Sequence, residues 1–126
     1  MIQSIELQKA VYSSLSLGYS VFEIVPPANS FPYITIGESS EVEDFTKTDL
    51  SRFRTFITIH SWSLGESSIE SKTMKHFIYN QMKNLKIPGF KVENVALSMS
   101  QTLKEQGIDT KTIFHTVQQF EIIINK

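Results

Sequence analysis

RFRTFITIHSWS, residues 52–63, alternates with a period of two. Phe53, Thr55, Ile57 and Ile59 fall on one side of an extended chain, and Arg54, Phe56, Thr58, His60 and Trp62 on the other. Both sides carry apolar groups, so this strand belongs in the middle of a sheet, or beneath cover on two sides from the fold and a neighbouring subunit. A two-sided strand of this length makes a sheet the organising element. The rest of the chain is then read for what pairs with it and what covers it.

Upstream, residues 33–36 place Ile34 and Ile36 on one face and Tyr33 and Thr35 on the other, with Pro32 at the entrance, where a missing ladder donor is tolerated. VFEIV, residues 21–25, reads as a strand ended by Pro26 and Pro27. A helix is predicted over 4–16, with Ser4 as its cap and Gly18 as its stop, because Leu7, Val11 and Leu15 recur every four residues with Ala10 beside them. Downstream, Ser67 and Glu70 have capping-box spacing. They open a second helix whose stripe is Met74, Phe77, Ile78, Met82 and Leu85, opposite Lys72, Lys75, Asn80 and Lys83.

Pro88 and Gly89 break that helix. Residues 90–99 then read as a strand whose apolar phase slips between Val92 and Val95, as a bulge would cause. A polar connector over 101–111 leads to a last strand over 112–125, with Phe120, Ile122 and Ile124 on one face. The order α-β-β-β-α-β-β predicts an α+β fold, with two helices packed on a mainly antiparallel sheet, in a single domain over residues 1–126.

One segment departs from this economy. ESSEVEDFTKTD, residues 38–49, follows the second strand with Glu38, Glu41, Glu43, Asp44 and Asp49 and a single lysine, Lys47. A stretch over 38–51 reaches the length at which loops in compact domains are functional, so a long acidic loop or hairpin is expected there. It lacks the order of carboxylates that wraps calcium. A flexible excursion also cannot hold two carboxyls at the fixed separation that glycoside chemistry needs.

The totals exclude several functions. Twelve Lys and Arg against thirteen Asp and Glu leave a net charge of −1, so no global field draws the chain to nucleic acid. Lys72, Lys75, Lys83, Lys86 and Lys91 are the nearest approach to a basic stripe, and four of them lie on or just after an amphipathic helix whose outer face must be polar anyway. With no cysteine there is no disulfide, thiolate nucleophile or Cys-based zinc site. The stretch MIQSIELQKAVYSS has no basic-then-apolar pattern of a signal peptide. No apolar run is long enough for a membrane-spanning helix.

Chemistry-bearing patterns are equally sparse. His60, His76 and His115 include no pair at i, i+4. His60 and His115 lie on predicted strands that can meet across the sheet, where hydrogen-bonded packing is the expected role. No G-x-S-x-G elbow or glycine-rich phosphate cradle occurs, so no catalytic residue, cofactor or metal is expected. Trp62, Phe56 and Tyr33 lack the interleaved basic residues of a base-stacking groove, which leaves packing or a protein interface.

FPYITIGE (31–38), TIHSWS (58–63), SQTLKEQG (100–107) and FHTVQQFEI (114–122), in this order and separated by a capped helix, resemble the small tail-terminator or tail-completion proteins of long-tailed bacteriophages, prophages and gene-transfer particles. In such proteins the connector after the fourth strand often carries an Asp-Gly turn. Here Gly107 and Asp109 are separated and in the reverse order.

The resemblance implies a virion protein that is not an enzyme, assembled in the host cytoplasm and placed at the head-tail junction, with no membrane partner. It implies a homo-oligomeric ring, usually hexameric, that caps the tail tube protein, ends tube polymerisation and offers a surface to a head-completion or connector protein. DNA would cross the lumen unread. The residues expected at oligomer or partner contacts are Glu38, Glu41, Glu43, Asp44, Lys47, Asp49, Arg52, Arg54, Lys104 and Glu105, with the acidic segment mobile in the free chain and ordered, as a hairpin, on assembly. The alternative class is a small α+β ligand-binding or DNA-contacting accessory protein.

Overall fold

A computed structural model describes residues 2–24, 31–43 and 52–125. Among them the elements run α1 (Ile2–Leu15), β1 (Ser20–Phe22), β2 (Tyr33–Glu43), β3 (Arg52–Gly65), α2 (Ile69–Lys83), β4 (Lys91–Glu105) and β5 (Thr112–Asn125). This is the predicted order, and it forms one sheet with strand sequence β1-β2-β3-β5-β4. Only the β1–β2 pair is parallel. The two-sided strand is central, as its pattern requires. It pairs with β5 from Arg52↔Asn125 to Gly65↔Thr112 without a register shift.

One face of the sheet collects the apolar set. Ile34, Ile36, Ile57, Ile59, Val95, Phe120, Ile122 and Ile124 are all buried, and α2 crosses β3, β5 and β4 above them while α1 packs on α2 and β1. The helices answer with Met74, Ile78 and Met82 from α2 and Leu7, Val11 and Leu15 from α1, all buried. Each large apolar side chain so buried stabilises by about 1.5–3 kcal/mol before the ordering entropy is set against it. Polar Gln118 shares this face and is fully buried. Its amide Nε2 donates to the Lys75 carbonyl of α2 at 3.3 Å, tying helix to sheet.

The differences from the sequence reading have local causes. The strand expected to stop at Ile36 continues to Glu43 as β2, after a register shift between Ile36 and Ser39. One extra β2 residue opposite β3 re-phases the alternation, which is why the acidic stretch looked unlike a strand. Glu38, Glu41 and Glu43 therefore lie on one arm of a hairpin already paired with β3, whereas Asp44, Lys47 and Asp49 lie outside the described residues.

The slip read near Val92 is present between Val92 and Asn94, a second shift follows between Leu97 and Met99, and β4 runs on to Glu105. The connector shrinks to 106–111, where a Cβ on Gly107 would sit 1.8 Å from the Lys111 carbonyl oxygen. The capping box does not form. Ser68 is the N-cap of α2, and the Glu70 carboxylate instead accepts the Ser63 hydroxyl of β3 at 2.7 Å. β1 ends at Phe22, and its expected end at Val25 lies outside the described residues.

Candidate assembly surface

The second face of the sheet carries no helix among the described residues, and the register fixes which side chains share it. Tyr33 of β2 is opposite Trp62 of β3, Trp62 opposite His115 of β5, and His115 opposite Leu103 of β4. This row crosses four strands. Its rings stack face to face along the sheet: Tyr33 and Trp62 centroids are 5.8 Å apart at 19°, and Trp62 and His115 3.7 Å apart at 10°. The Trp62 indole N–H donates to the Thr35 hydroxyl at 3.4 Å.

The next row adds His60, whose Nδ1 is 2.8 Å from His115 Nε2, while His115 Nδ1 is 2.9 Å from Glu105 Oε2. An ionised carboxylate only accepts, so His115 carries its proton on Nδ1. Its Nε2 then accepts, and His60 must donate from Nδ1. Both rings are satisfied while neutral. Burial and the neighbouring His115 hold the His60 pKa below the ordinary imidazole value, with Glu38 opposing. Burial, helped by Glu105, raises the Tyr33 pKa. A Cβ on Gly37 would meet the His60 ring at 2.9 Å, so glycine is what allows the imidazole to lie against β2.

The predicted meeting of His60 and His115 is thus present in its packing form. No group of three or more His, Cys, Asp or Glu among the described residues is arranged to hold a metal ion.

At the other end of this face the contacts are ionic. Arg54 Nε lies 3.3 Å from Glu121 Oε1. Arg52 donates to the Glu93 carboxylate, Nε to Oε1 at 3.0 Å, and Asn125 Nδ2 donates to Oε2 at 2.8 Å. The Arg52 hydrogen bond, followed by that of Asn125, holds the Glu93 carboxyl below its ordinary value.

The structure separates the expected contact residues into two groups. Glu38, Glu41 and Glu43 line β2, and Arg52 and Arg54 stand beside them on β3. Lys104 and Glu105 end β4 three strand spacings, or roughly 14 Å, across the sheet, and Lys104 is also eight residues along the strands from the level of Glu41. A connector over 101–111 leaves Glu105 in a loop, whereas β4 runs on to Glu105 and brings it to His115. The continued alternation of Met99, Gln101 and Leu103 was the signal for it.

Exposed apolar groups also lie on this face at both margins: Val42 on β2 is 56% exposed, and Met99 and Leu103 on β4 are 40% and 39% exposed. A cleft of about 560 Å³ beside the end of α2 is open, and charged Lys83, Lys86 and Glu93 line it beside Phe90. The Lys83 amine there donates to the Val95 carbonyl. No helix of the described residues is long and apolar enough to cross a membrane.

No protein-family model and no curated protein matches the sequence. Among solved structures, the fold matches a chain of a virion of a native gene transfer agent particle, with a TM-score of 0.75 at 15% identity. The match spans 95% of this chain and 95% of that one. The chain is therefore an α+β domain of the same fold as a protein of that particle.

Proposed function

We propose that this chain is a structural virion protein of the tail-terminator type, which forms a ring on the tail tube, ends its polymerisation and presents a joining surface to the head connector. The observation that carries this reading is the whole-length likeness of fold to a chain of a gene transfer agent virion. The sequence resemblance, reached from strand and tryptophan motifs, points to the same kind of particle. The open sheet face with exposed apolar groups at both margins is consistent with a protein whose surfaces are completed by neighbours.

In this reading the chain turns over no substrate, and a hexamer is the expected closed form. Its partners are copies of itself, the tube subunit and a connector protein, and DNA passes through the lumen without sequence-specific contact. The ten residues expected at contacts keep that role here. Ring assembly is tested by negative-stain imaging and light scattering of the purified chain, alone and with tail-tube subunits. Closed annuli or capped tubes are the expected result. Persistent monomers that leave tubes uncapped would defeat it. Binding of DNA that falls steeply with salt would favour the DNA-contacting class instead.

A further inference from the structure

We infer that neighbouring copies join by strand addition, with the last residues of β4 in one copy pairing antiparallel with the distal half of β2 in the next, so that Val42 faces Leu103 and Glu41 faces Lys104. This rests on the ring reading above and adds the contact that builds the ring.

The two margins are unlike, and each is open over a defined stretch. On one side β1 pairs only with residues 33–35 of β2, so among the described residues β2 from Ile36 to Glu43 has one unpaired edge. On the other side β4 is the outermost strand. An edge strand offers a row of free N–H and C=O groups, and bulges are one way of spoiling it. The bulges of β4 lie before Met99. Residues 99–105 therefore form the regular, unprotected part, and residues 101–105 are all exposed.

Direction and parity then agree. Within the chain β2 and β4 are antiparallel, because three antiparallel pairings separate them. Val42 stands level with Arg54 and Leu103 level with Trp62, eight residues along the strands, so the two meet where the strands tilt to the ring axis and the offset is taken up as stagger, with β4 of one copy antiparallel to β2 of the next in a heterologous contact that closes. A continuous sheet also requires facing residues to point to the same side. Val42 and Leu103 both lie on the open face, as the partners of Arg54 and His115, whereas Glu41 and Lys104 both lie on the helix side, as the partners of Thr55 and Phe114.

Pairing Val42 with Leu103 sets Glu41 against Lys104 and Glu43 against Thr102 without further choice. Two exposed apolar groups are covered, and a carboxylate meets an amine. Glu41, Glu43 and Lys104 take part in none of the ion pairs between described residues.

The absence of native cysteine makes the joint directly readable. In Val42→Cys/Leu103→Cys, facing Cβ atoms of an antiparallel pair approach to about 4.5–5.5 Å, near disulfide range. Mild oxidation of assembled protein is expected to give a covalent ladder of multimers. A mixture of the two single variants should stop at dimers. Annuli or capped tubes from which the double variant gives no covalent product would sink the joint and leave the ring reading standing, whereas failure of the unaltered chain to assemble would sink both. A second measurement does not depend on thiols. Glu41→Lys and Lys104→Glu should each raise the concentration needed for assembly, by roughly fivefold per joint. The double exchange should restore it, and no restoration counts against the proposal.

Discussion

Along β3, Ile57 and Ile59 are buried beneath α2, while Phe56 and His60, each one residue away, are only partly buried on a face without a helix among the described residues. The same alternating backbone thus makes two surfaces held by different physics. On the covered side, branched and aromatic groups fill most of the volume without direction, and among the buried polar residues there Gln118 and Ser63 hydrogen-bond the helix above them. On the open side the order is directional: a ring stack, a carboxylate-imidazole-imidazole chain and two arginine-carboxylate contacts. Such contacts keep a half-apolar face ordered and wettable in the lone chain. For the ring proposed above, side-chain geometry would then be largely set before a neighbour arrives, which reduces the ordering entropy of association.

The sharpest break of this comparison is truncation of one phenylalanine on each side. Phe120 is fully buried among Ile57, Leu97 and the helix residues, so Phe120→Ala is expected to lose about 3–5 kcal/mol of unfolding free energy. Phe56→Ala, on the open side, should lose under about 1.5 kcal/mol, because its ring is only partly removed from water. Urea denaturation of both variants decides the matter. Equal losses would mean that the open face is packed as tightly as the core.

The covered side was the more legible in the sequence. Period-two runs in β3 and β5 and every-fourth-residue stripes in the helices gave nearly every core residue, since burial of one face is what produces periodicity. The open side was read in fragments, because its stabilising contacts join residues far apart in the chain. Strand position alone brings His60 and His115 together, but the Glu105 that orients them comes from a part of β4 whose polar sequence resembles a connector. The bulge after Ile36 hid the distal half of β2 in the same way. A single inserted residue breaks the alternation without ending the strand, and an acidic composition then mimics a loop. Capping failed for a different reason: Glu70 had a tertiary partner, Ser63, that sequence spacing cannot show.

Gly37→Ala tests whether the imidazole row is close-packed despite lying on the open side. The new Cβ would fall 2.9 Å from the His60 ring and 3.0 Å from the Thr58 carbonyl oxygen, so either ring or strand must shift. A loss of about 1–3 kcal/mol is expected, together with chemical-shift changes spreading from His60 to His115 and Trp62. Unchanged imidazole resonances would show that the ring has room.

His60→Ala should be milder, about 1–2 kcal/mol, mainly from the unpaired His115 Nε2 and the lost ring contact. Its pH dependence is more telling than its size. The folded-state pKa of His60 is depressed, by burial first and His115 second, with Glu38 opposing. Around the ring stand His115 and Glu105 from β5 and β4, and Glu38 and Tyr33 from β2. A depressed imidazole takes up its proton more readily when unfolded, so stability holds above the unfolded value near 6.5 and falls as pH drops below it. The depressed Glu93 carboxyl acts in the same direction but at lower pH: its contribution is present above the ordinary value of 4.5 and lost as pH falls through its folded value. Denaturation midpoints from pH 8 to 5 should therefore decline in the wild type and decline less in His60→Ala, and parallel curves would contradict the assignment.

The smallest effect is expected at Arg54. Its guanidinium and the Glu121 carboxylate are 45% and 30% exposed at 3.3 Å. Water weakens the attraction, and fixing a long side chain offsets much of what remains. Arg54→Ala should therefore change stability by only about 0.2–1 kcal/mol, less at high salt. The aliphatic stem of arginine also shields neighbouring apolar surface, here Val42 and Ile123, which stand directly opposite Arg54 on either side. Arg54→Lys keeps charge and most of the stem and should be closer to wild type than the alanine variant in low salt. If the alanine variant instead lost several kcal/mol regardless of salt, Arg54 would be acting as a packing residue, and the open face would need a cover that its exposure does not suggest.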